Sequence, residues 1–220
     1  PTVSMPASLT AAEDTATAIT GISFADADAG SASVTVTLSV GSGTLSATSG
    51  GGVTIGGTAS ALTLSGSIAN INAFITGGAV QFLGAANSTT SVTLTASIDD
   101  GGQSGGAAQT GSGTVTIAIT PVNDAPHVSA PSSIAVTEDV TSALSGISFS
   151  DVDASLGTVS VQFSVVPGSG TLSATDASGV TVLGSGTDTL SLSGTLSDIN
   201  AFVTGGAVGY TTAANATGNV

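Results

Sequence analysis

The chain repeats its own sequence after about 125 residues, and this constrains its fold more than any other feature. Ala12-Glu13-Asp14 returns as Thr137-Glu138-Asp139, and the segment 21–28 returns at 146–153 with the same offset of 125 residues. The segment Ile71-Asn72-Ala73-Phe74 returns at 199–202 with an offset of 128 residues, a drift that short loop insertions explain. Self-similarity of this kind indicates tandem copies of one structural unit.

A proline-rich segment separates the two copies. It reads Pro121-Val122-Asn123-Asp124-Ala125-Pro126. We therefore expect a first repeat over residues 1–120, a linker over 121–126 and a second repeat over 127–220. By this alignment Val220 corresponds to Val92, so the second repeat lacks the counterpart of its final strands. Either the chain is a piece of a longer array, which we favour, or another chain supplies those strands by β-addition.

Strict alternation of Val, Ile or Leu with Thr or Ser predicts β-strands at 33–40, 91–95 and 114–120. A further strand over 2–9 is expected to pair with the segment from Ile19 to Phe24. Ile199, Phe202 and Val203 have helical spacing, and Gly205 follows them, which predicts one short helix in each copy. The expected fold is all-β, with two tandem β-sandwich domains that each carry one short helix.

The charge balance excludes several classes of function. The chain has no Lys or Arg but 14 Asp and Glu residues, which gives a net charge of −14. This argues against binding to nucleic acid or to anionic membrane surfaces. The chain has no Cys, no Trp and one His, so catalytic Ser-His-Asp or Cys-His sites are not expected. We expect a protein that is not an enzyme and does not insert into a membrane.

Most of the acidic residues fall in close pairs, and like charges placed together repel unless a cation lies between them. Ca²⁺ is the cation best suited to carboxylate and carbonyl oxygens. The expected direction of the hairpins brings one set of possible ligands to the junction between the copies: Glu13, Asp14, Asn123, Asp124, Asp151 and Asp153. A second set is expected at the N-terminal end of the first repeat, formed by Asp26, Asp28, Asp99 and Asp100. A third set, Glu138 and Asp139, is expected at the far end of the second repeat.

A simpler interpretation exists for each pair taken alone, because Glu-Asp and Asp-x-Asp are also common in turns. The convergence of three pairs on one junction favours calcium over this alternative.

The linker, the Glu-Asp pair and the Asp-x-Asp that follows the second strand resemble the bacterial cadherin-like tandem repeats of large surface adhesins. The segment 192–202, Leu-Ser-Gly-Thr-Leu-Ser-Asp-Ile-Asn-Ala-Phe, is also typical of those arrays. The resemblance implies a cadherin-like, Ig-like sandwich in which interdomain calcium makes the array rigid. Carried over to this chain, it implicates Glu13, Asn123, Asp124, Asp151 and Asp153.

These observations predict a structural spacer of a secreted adhesin or surface filament, with calcium as its cofactor and neighbouring repeats as its partners. The hydroxyl-rich and glycine-rich composition is typical of proteins outside the cell. One alternative is a self-assembling filament or surface-layer subunit, in which identical subunits exchange strands. Another is a glycan- or receptor-binding module, which would need exposed aromatic residues or a polar pocket.

Overall fold

A computed structural model describes residues 1–102, 106–177 and 179–216 of the chain. The chain divides into two compact units, unit 1 from Pro1 to Val122 and unit 2 from Asn123 to Val220. The described part of each unit consists mainly of β-strands and contains one short helix. The all-β fold class expected from the sequence is therefore confirmed. Val220, the expected counterpart of Val92, lies outside the described residues.

Unit 1 is built around one large sheet. Its strands and helix are β1 (Thr2–Ser4), β2 (Leu9–Ala12), β3 (Thr17–Ala18), β4 (Ser23–Ala25), β5 (Ser33–Val40), β6 (Thr44–Ser46), β7 (Thr54–Thr58), β8 (Ala61–Ser67), α1 (Ile68–Thr76), β9 (Gln81–Leu83), β10 (Val92–Asp99) and β11 (Thr110–Thr120). The six-stranded sheet has the order β2-β11-β10-β5-β8-β7, and the remaining strands form the sheets β1-β4 and β3-β9-β6. All pairs are antiparallel except β2 with β11.

The alternation that predicts β5 also builds the core of unit 1. Val34, Val36 and Leu38 lie on one face of the strand and are at most 2% exposed. Phe82 of β9, in a smaller sheet, is fully buried in the same apolar cluster. The cluster therefore lies between the large sheet and the smaller ones, and burial of these side chains is the main apolar contribution to stability.

The single strand expected over residues 2–9 is wrong, because β1 ends at Ser4 and β2, in a different sheet, begins only at Leu9. β1 pairs with β4, so that Thr2 lies opposite Ala25. β2 pairs instead in parallel with β11, so that Leu9 lies opposite Ile117. Pro6 lies between them and has no N–H to donate to a sheet, which accounts for the break.

Unit 2 has the same kind of elements but fewer of them. They are β12 (His127–Ser129), β13 (Ser142–Ala143), β14 (Ser148–Ser150), β15 (Thr158–Ser164), β16 (Gly170–Ser173), β17 (Val180–Leu183), β18 (Thr189–Thr195), α2 (Leu196–Thr204) and β19 (Gly209–Thr212). They form the sheets β12-β14, β13-β19-β16 and β15-β18-β17. Leu172, Leu192 and Tyr210 are among the buried residues of its core.

Each helix begins at a hydroxyl cap and ends at a glycine. The Ser67 side chain accepts a hydrogen bond from Asn70 N at the start of α1, and Thr195 accepts one from Asp198 N at the start of α2. Gly77 and Gly205 follow the last helical residues. Ile199, Phe202 and Val203 are the buried residues of α2, as their spacing predicts. Capping satisfies backbone N–H groups that a helix of this length otherwise leaves without partners.

An asparagine on each helix holds the backbone of a neighbouring strand. Asn72 on α1 accepts a hydrogen bond from Phe24 N at 2.9 Å and donates one to Phe24 O at 2.9 Å. Asn200 on α2 makes the same two bonds with Phe149. The Asn72 amide thus holds β4 two residues before Asp26, and the Asn200 amide holds β14 two residues before Asp151.

We expect Asn72→Ala to lower the free energy of unfolding of unit 1 by about 2 kcal/mol, because both backbone groups of Phe24 lose a partly buried partner. Urea denaturation followed by circular dichroism measures the change. Asn70→Ala is the matched control, since this side chain is exposed on the same helix. Equal losses in the two variants would contradict a specific role for Asn72.

Candidate functional site

Four of the six acidic residues of unit 1 occupy two loops. Asp26 and Asp28 follow β4, and Asp99 ends β10, with Asp100 directly after it. The Asp26 side chain is only 5% exposed and Asp100 is 7% exposed, whereas Asp28 and Asp99 are exposed. Burial of two carboxylates within electrostatic range of each other is unfavourable unless both are compensated.

Backbone N–H groups compensate Asp100. Its Oδ1 accepts hydrogen bonds from Gly102 N and Gln109 N, both at 2.8 Å. The bonds from Gln109 and Gly102 lower the pKa of the Asp100 carboxyl below its ordinary value, while burial and the negative charge of Asp26 act in the opposite direction. The negative charge of Asp26 thus acts on Asp100, so these two predicted site residues interact electrostatically.

Asp26 is compensated less completely. Its Oδ1 accepts a hydrogen bond from Asp28 N at 2.9 Å. Its Oδ2 is buried and has no hydrogen-bond partner, but the α-amino group of Pro1 lies 3.4 Å away. The Asp28 hydrogen bond lowers the pKa of Asp26, burial opposes it, and the positive charge of Pro1 also lowers it. Among the described residues, Oδ2 of Asp26 is therefore the buried side-chain atom that lacks a hydrogen-bond partner.

The buried acid at the other end of unit 1 is Glu13, in the turn after β2. Glu13 is 2% exposed. Its Oε1 accepts a hydrogen bond from Val122 N at 2.9 Å, and its own N–H donates to Thr120 O at 3.0 Å. Glu13 thus fixes the end of β11 and the start of the segment that leads out of the unit.

The second acid of each Glu-Asp pair has a role within its own unit. Asp14 has a left-handed backbone with φ of 55°, and its Oδ1 accepts a hydrogen bond from Asn87 N at 3.0 Å. Asp139 has φ of 59° and accepts one from Asn215 N at 3.3 Å. Asp is one of the few residues that adopt this conformation readily. The Asp14 carboxylate therefore ties its turn to the loop after β9, and the Asp139 carboxylate ties its turn to the loop after β19.

In unit 2 the residues of the linker meet the loop after β14. Asp153 Oδ2 accepts a hydrogen bond from Asp124 N. Asp151 Oδ1 accepts from Asp153 N at 2.8 Å and from Ala154 N at 3.0 Å, and Asn123 donates from its side chain to Asp124 O at 3.0 Å. The bond that Asp153 N donates to Asp151 repeats the one that Asp28 N donates to Asp26, so both loops share this turn.

Of the six residues predicted at the junction, Glu13 and Asp14 belong to unit 1, and Asn123, Asp124, Asp151 and Asp153 belong to unit 2. Glu138, in the third predicted set, is exposed, whereas its counterpart Glu13 is buried. No described segment of unit 2 corresponds to residues 120–122, which cover Glu13. This difference in surroundings explains the difference in burial.

Sequence reasoning missed the residues that position these acids. Asn72 and Asn200 hold the strands that precede Asp26 and Asp151, and their only signal in the sequence is identity between the copies. The backbone donors Gly102 and Gln109 gave no signal, because any residue except proline supplies an N–H group.

An open pocket of about 550 Å³ lies in unit 2, and sequence reasoning did not anticipate it. Small and hydroxyl side chains such as Thr141, Ser173 and Ser185 form much of its lining. Its aromatic residue, Phe202, is 8% exposed, and Oδ1 of its carboxylate, Asp176, accepts a hydrogen bond from Val182 N. The pocket thus offers no exposed ring on which a sugar could stack.

A scan of the sequence against protein-family models finds no match, and a search against curated proteins finds no similar sequence. Within the described residues, neither helix has the length and apolar character needed to cross a membrane.

We expect unit 1 to lose stability in acid as Asp26 and Asp100 take up protons. Their folded-state pKa values are lowered. The stability that these two ionised carboxylates give unit 1 is therefore present in full above their pKa in the unfolded chain. It is lost as the pH falls through their lower pKa in the folded state. Urea denaturation between about pH 6 and about pH 2.5 in the presence of a chelator measures this loss.

Asp100→Asn should show a smaller decrease over this range than the unchanged chain. Asp28→Asn, which alters an exposed carboxylate of the neighbouring loop, is the control. An identical pH dependence in the Asp100 variant and the unchanged chain would contradict the assignment.

Proposed function

We propose that the chain is a non-enzymatic structural repeat of an extracellular adhesin or surface filament, in which calcium ions bound by its acidic loops make the repeats rigid. One observation carries the proposal. Asp26 and Asp100 are both buried, the negative charge of Asp26 acts on Asp100, and Oδ2 of Asp26 has no hydrogen-bond partner, in a chain without a Lys or Arg side chain.

The available donors fit Ca²⁺ and fit softer metals poorly. Every acidic side chain in these loops offers oxygen, and the sequence has no cysteine and a single histidine. Ca²⁺ takes about 6–8 oxygen ligands in flexible geometry, and exposed carboxylates and backbone carbonyls can complete such a shell. At this end of unit 1, Asp26 and Asp100 are the inner candidates, with Asp28 and Asp99 beside them. A bound Ca²⁺ would give Oδ2 of Asp26 the partner that it lacks.

A second calcium set is proposed along the linker. Glu13 holds Val122 in unit 1, and Asp124 is bound to Asp153 in unit 2. Val122 and Asp124 are two residues apart, so their Cα atoms are separated by at most about 7.6 Å. The ion shared between neighbouring repeats that the sequence predicts therefore rests on one acidic group in each unit, Glu13 and Asp153. A shared ion would restrict rotation about this segment, which is the property that a spacer requires.

The proposed location outside the cell rests on the hydroxyl-rich and glycine-rich composition of the chain, and a calcium site would suit it. Calcium sites in extracellular modules have dissociation constants of about 10⁻⁴–10⁻³ M, which suit the millimolar calcium outside cells. A site in this range would be half to mostly occupied at that calcium concentration. The absence of an exposed aromatic platform in the hydroxyl-lined pocket of unit 2 makes the glycan-binding alternative less well supported.

We expect ~10 mM calcium to raise the melting temperature of unit 1 by about 4 °C or more, because a ligand that binds only the folded state stabilises it. The double variant Asp26→Asn/Asp100→Asn should lose this increase. Thermal unfolding followed by circular dichroism, with and without a chelator, measures it. Fluorescence of Tyr210 follows unit 2 separately, since this is the sole tyrosine of a chain without tryptophan.

Three controls sharpen the experiment. Asp188→Asn removes a charge from a hairpin turn outside the proposed sites and should leave the calcium effect unchanged. Asp151→Asn/Asp153→Asn should reduce the effect on unit 2 and spare that on unit 1. Magnesium should stabilise less, because it requires a tighter octahedral shell. An equal calcium effect in the Asp26/Asp100 variant and the unchanged chain would refute the site in unit 1.

A further inference from the structure

The hydroxyl-lined pocket of unit 2, of about 550 Å³, lies beside the sheet β13-β19-β16 and the end of α2. The counterpart of this sheet in unit 1 is β3-β9-β6, which has the same strand order. The register is also the same, because Gly209 lies opposite Ser173 as Gln81 lies opposite Ser46. The two places can therefore be compared residue by residue.

In unit 1 a glutamine side chain reaches across this place. Gln81 is partly buried, and its Nε2 donates a hydrogen bond to Gly78 O at 2.7 Å. Unit 2 has Gly209 at the same position and therefore has no side chain that could do this. The carbonyl oxygen of Gly206, the counterpart of Gly78, accepts no hydrogen bond from the described residues. The pocket thus offers an acceptor that an N–H donor satisfies in unit 1.

The turn that carries this carbonyl has the same backbone in both units. Gly206 has φ of 75° and Gly78 has φ of 72°. Gly206 N donates to Val203 O at 3.0 Å, as Gly78 N donates to Ile75 O at 2.9 Å. The unused acceptor in unit 2 therefore results from the exchange of glutamine for glycine and not from a change in the turn.

A second difference between the units adds a negative charge to the same pocket. Asp176 lines the pocket, and its Oδ1 accepts a hydrogen bond from Val182 N at 2.7 Å. In unit 1 the Oγ of Ser49 accepts the equivalent bond from Ile55 N at 2.9 Å. A serine is therefore sufficient to hold this turn. The aspartate of unit 2 adds a charge and a second oxygen, Oδ2, that this bond does not use.

The end of α2 contributes to the same negative potential. Phe202 in the last turn and Gly206 just after the helix both line the pocket, and the last turn contains no basic residue. The C-terminal end of a helix carries the negative end of its dipole and favours cations. Asp176 is the sole charged residue among the described residues of the lining. Its carboxylate, the Gly206 carbonyl and the helix end therefore favour a positively charged N–H donor over a neutral one.

We propose that this pocket binds an arginine or lysine side chain that a partner protein presents. Residues 1–220 contain no Lys or Arg, so none of them can supply the cation. Their net charge of −14 attracts a basic partner surface. The cationic group donates to Gly206 O, as Gln81 does to Gly78 O in unit 1, and to the Asp176 carboxylate. Both bonds are charge-assisted and are therefore stronger than neutral ones.

The proposal uses none of the proposed calcium ligands. It can therefore be tested with a chelator present, and its failure would leave the proposed calcium function intact.

The test adds a capped Gly-Arg-Gly peptide to the full, isotope-labelled chain and follows backbone amide shifts by nuclear magnetic resonance. We expect saturable shifts at residues 173–177 and 205–209, with a dissociation constant of ~1 mM or below. A capped Gly-Lys-Gly peptide should shift the same amides. The matched peptide with citrulline, whose side chain has the shape of arginine without its charge, should bind about tenfold more weakly, because it loses a charge-assisted hydrogen bond.

One variant gives unit 2 the residue of unit 1. Asp176→Ser keeps an acceptor for Val182 N and removes the charge. It should weaken binding of the arginine peptide about tenfold and leave binding of the citrulline peptide unchanged. Asp188→Asn removes one charge outside the pocket lining and should have no effect, which separates the local charge from the net charge.

A second variant fills the pocket as unit 1 does. A Cβ at Gly209 would meet Thr141 Cγ2 at 2.6 Å, so Gly209→Gln is combined with Thr141→Ser, which removes this methyl group and keeps the hydroxyl. The double variant should lose binding, because its own glutamine would occupy the acceptor at Gly206. Thr141→Ser alone should bind normally. If the double variant fails to fold, Asp176→Ser still decides the matter.

Three results would each overturn the proposal. The first is the absence of shifts at these amides at ~10 mM arginine peptide, and the second is equal binding of the arginine and citrulline peptides. The third is unchanged binding of the arginine peptide to Asp176→Ser. Methylguanidinium that binds as tightly as the peptide would assign the pocket to a small free cation and would also overturn it.

Discussion

The structure depends on how a chain without lysine or arginine compensates its carboxylates. Two sources of compensation exist wherever the chain begins: backbone N–H groups and ions from solution. Backbone N–H groups supply most of it. Asp100, Asp151 and Glu13 each accept hydrogen bonds from the backbone of a loop or of the chain leaving the unit. The acids therefore organise the loops at the ends of the units, and the loops in turn hold acids of like charge near each other.

In this arrangement one oxygen of a carboxylate accepts more hydrogen bonds than the other. Asp26 is the clearest case, because its Oδ1 is bound to Asp28 N while its buried Oδ2 has only the Pro1 ammonium nearby. The two oxygens of the carboxylate therefore have different roles, which the Asp-x-Asp motif in the sequence does not distinguish. Bonds to the backbone explain why these loops fold, and the remaining buried oxygen explains why a cation would be bound. Asp14 and Asp139 illustrate the first role, since each ties a left-handed turn to a distant loop.

The sequence predicted correctly those strands and helices whose own residues carry an alternating or helical pattern. Alternation identified β5 over residues 33–40, and helical spacing identified α2. The strand expected over 2–9 failed at Pro6, where the missing N–H allows the chain to change sheets. Residues 134–137 resemble β2 but form no strand, because strand formation there requires a partner that a pattern cannot supply. At the candidate site, the acids were predictable from composition. Asn72, Gly102 and Gln109 were not, because their roles arise from contacts between segments far apart in sequence.

The most direct test of the central claim is a crystal structure of the chain grown with ~10 mM calcium, with anomalous scattering used to locate the ions. The account predicts a peak between Asp26 and Asp100, with carboxylate oxygens at about 2.3–2.6 Å from it. It also predicts that Oδ2 of Asp26 is a ligand of that ion. A map in which this oxygen remains beside the Pro1 ammonium, with no ion between the two carboxylates, would contradict the account.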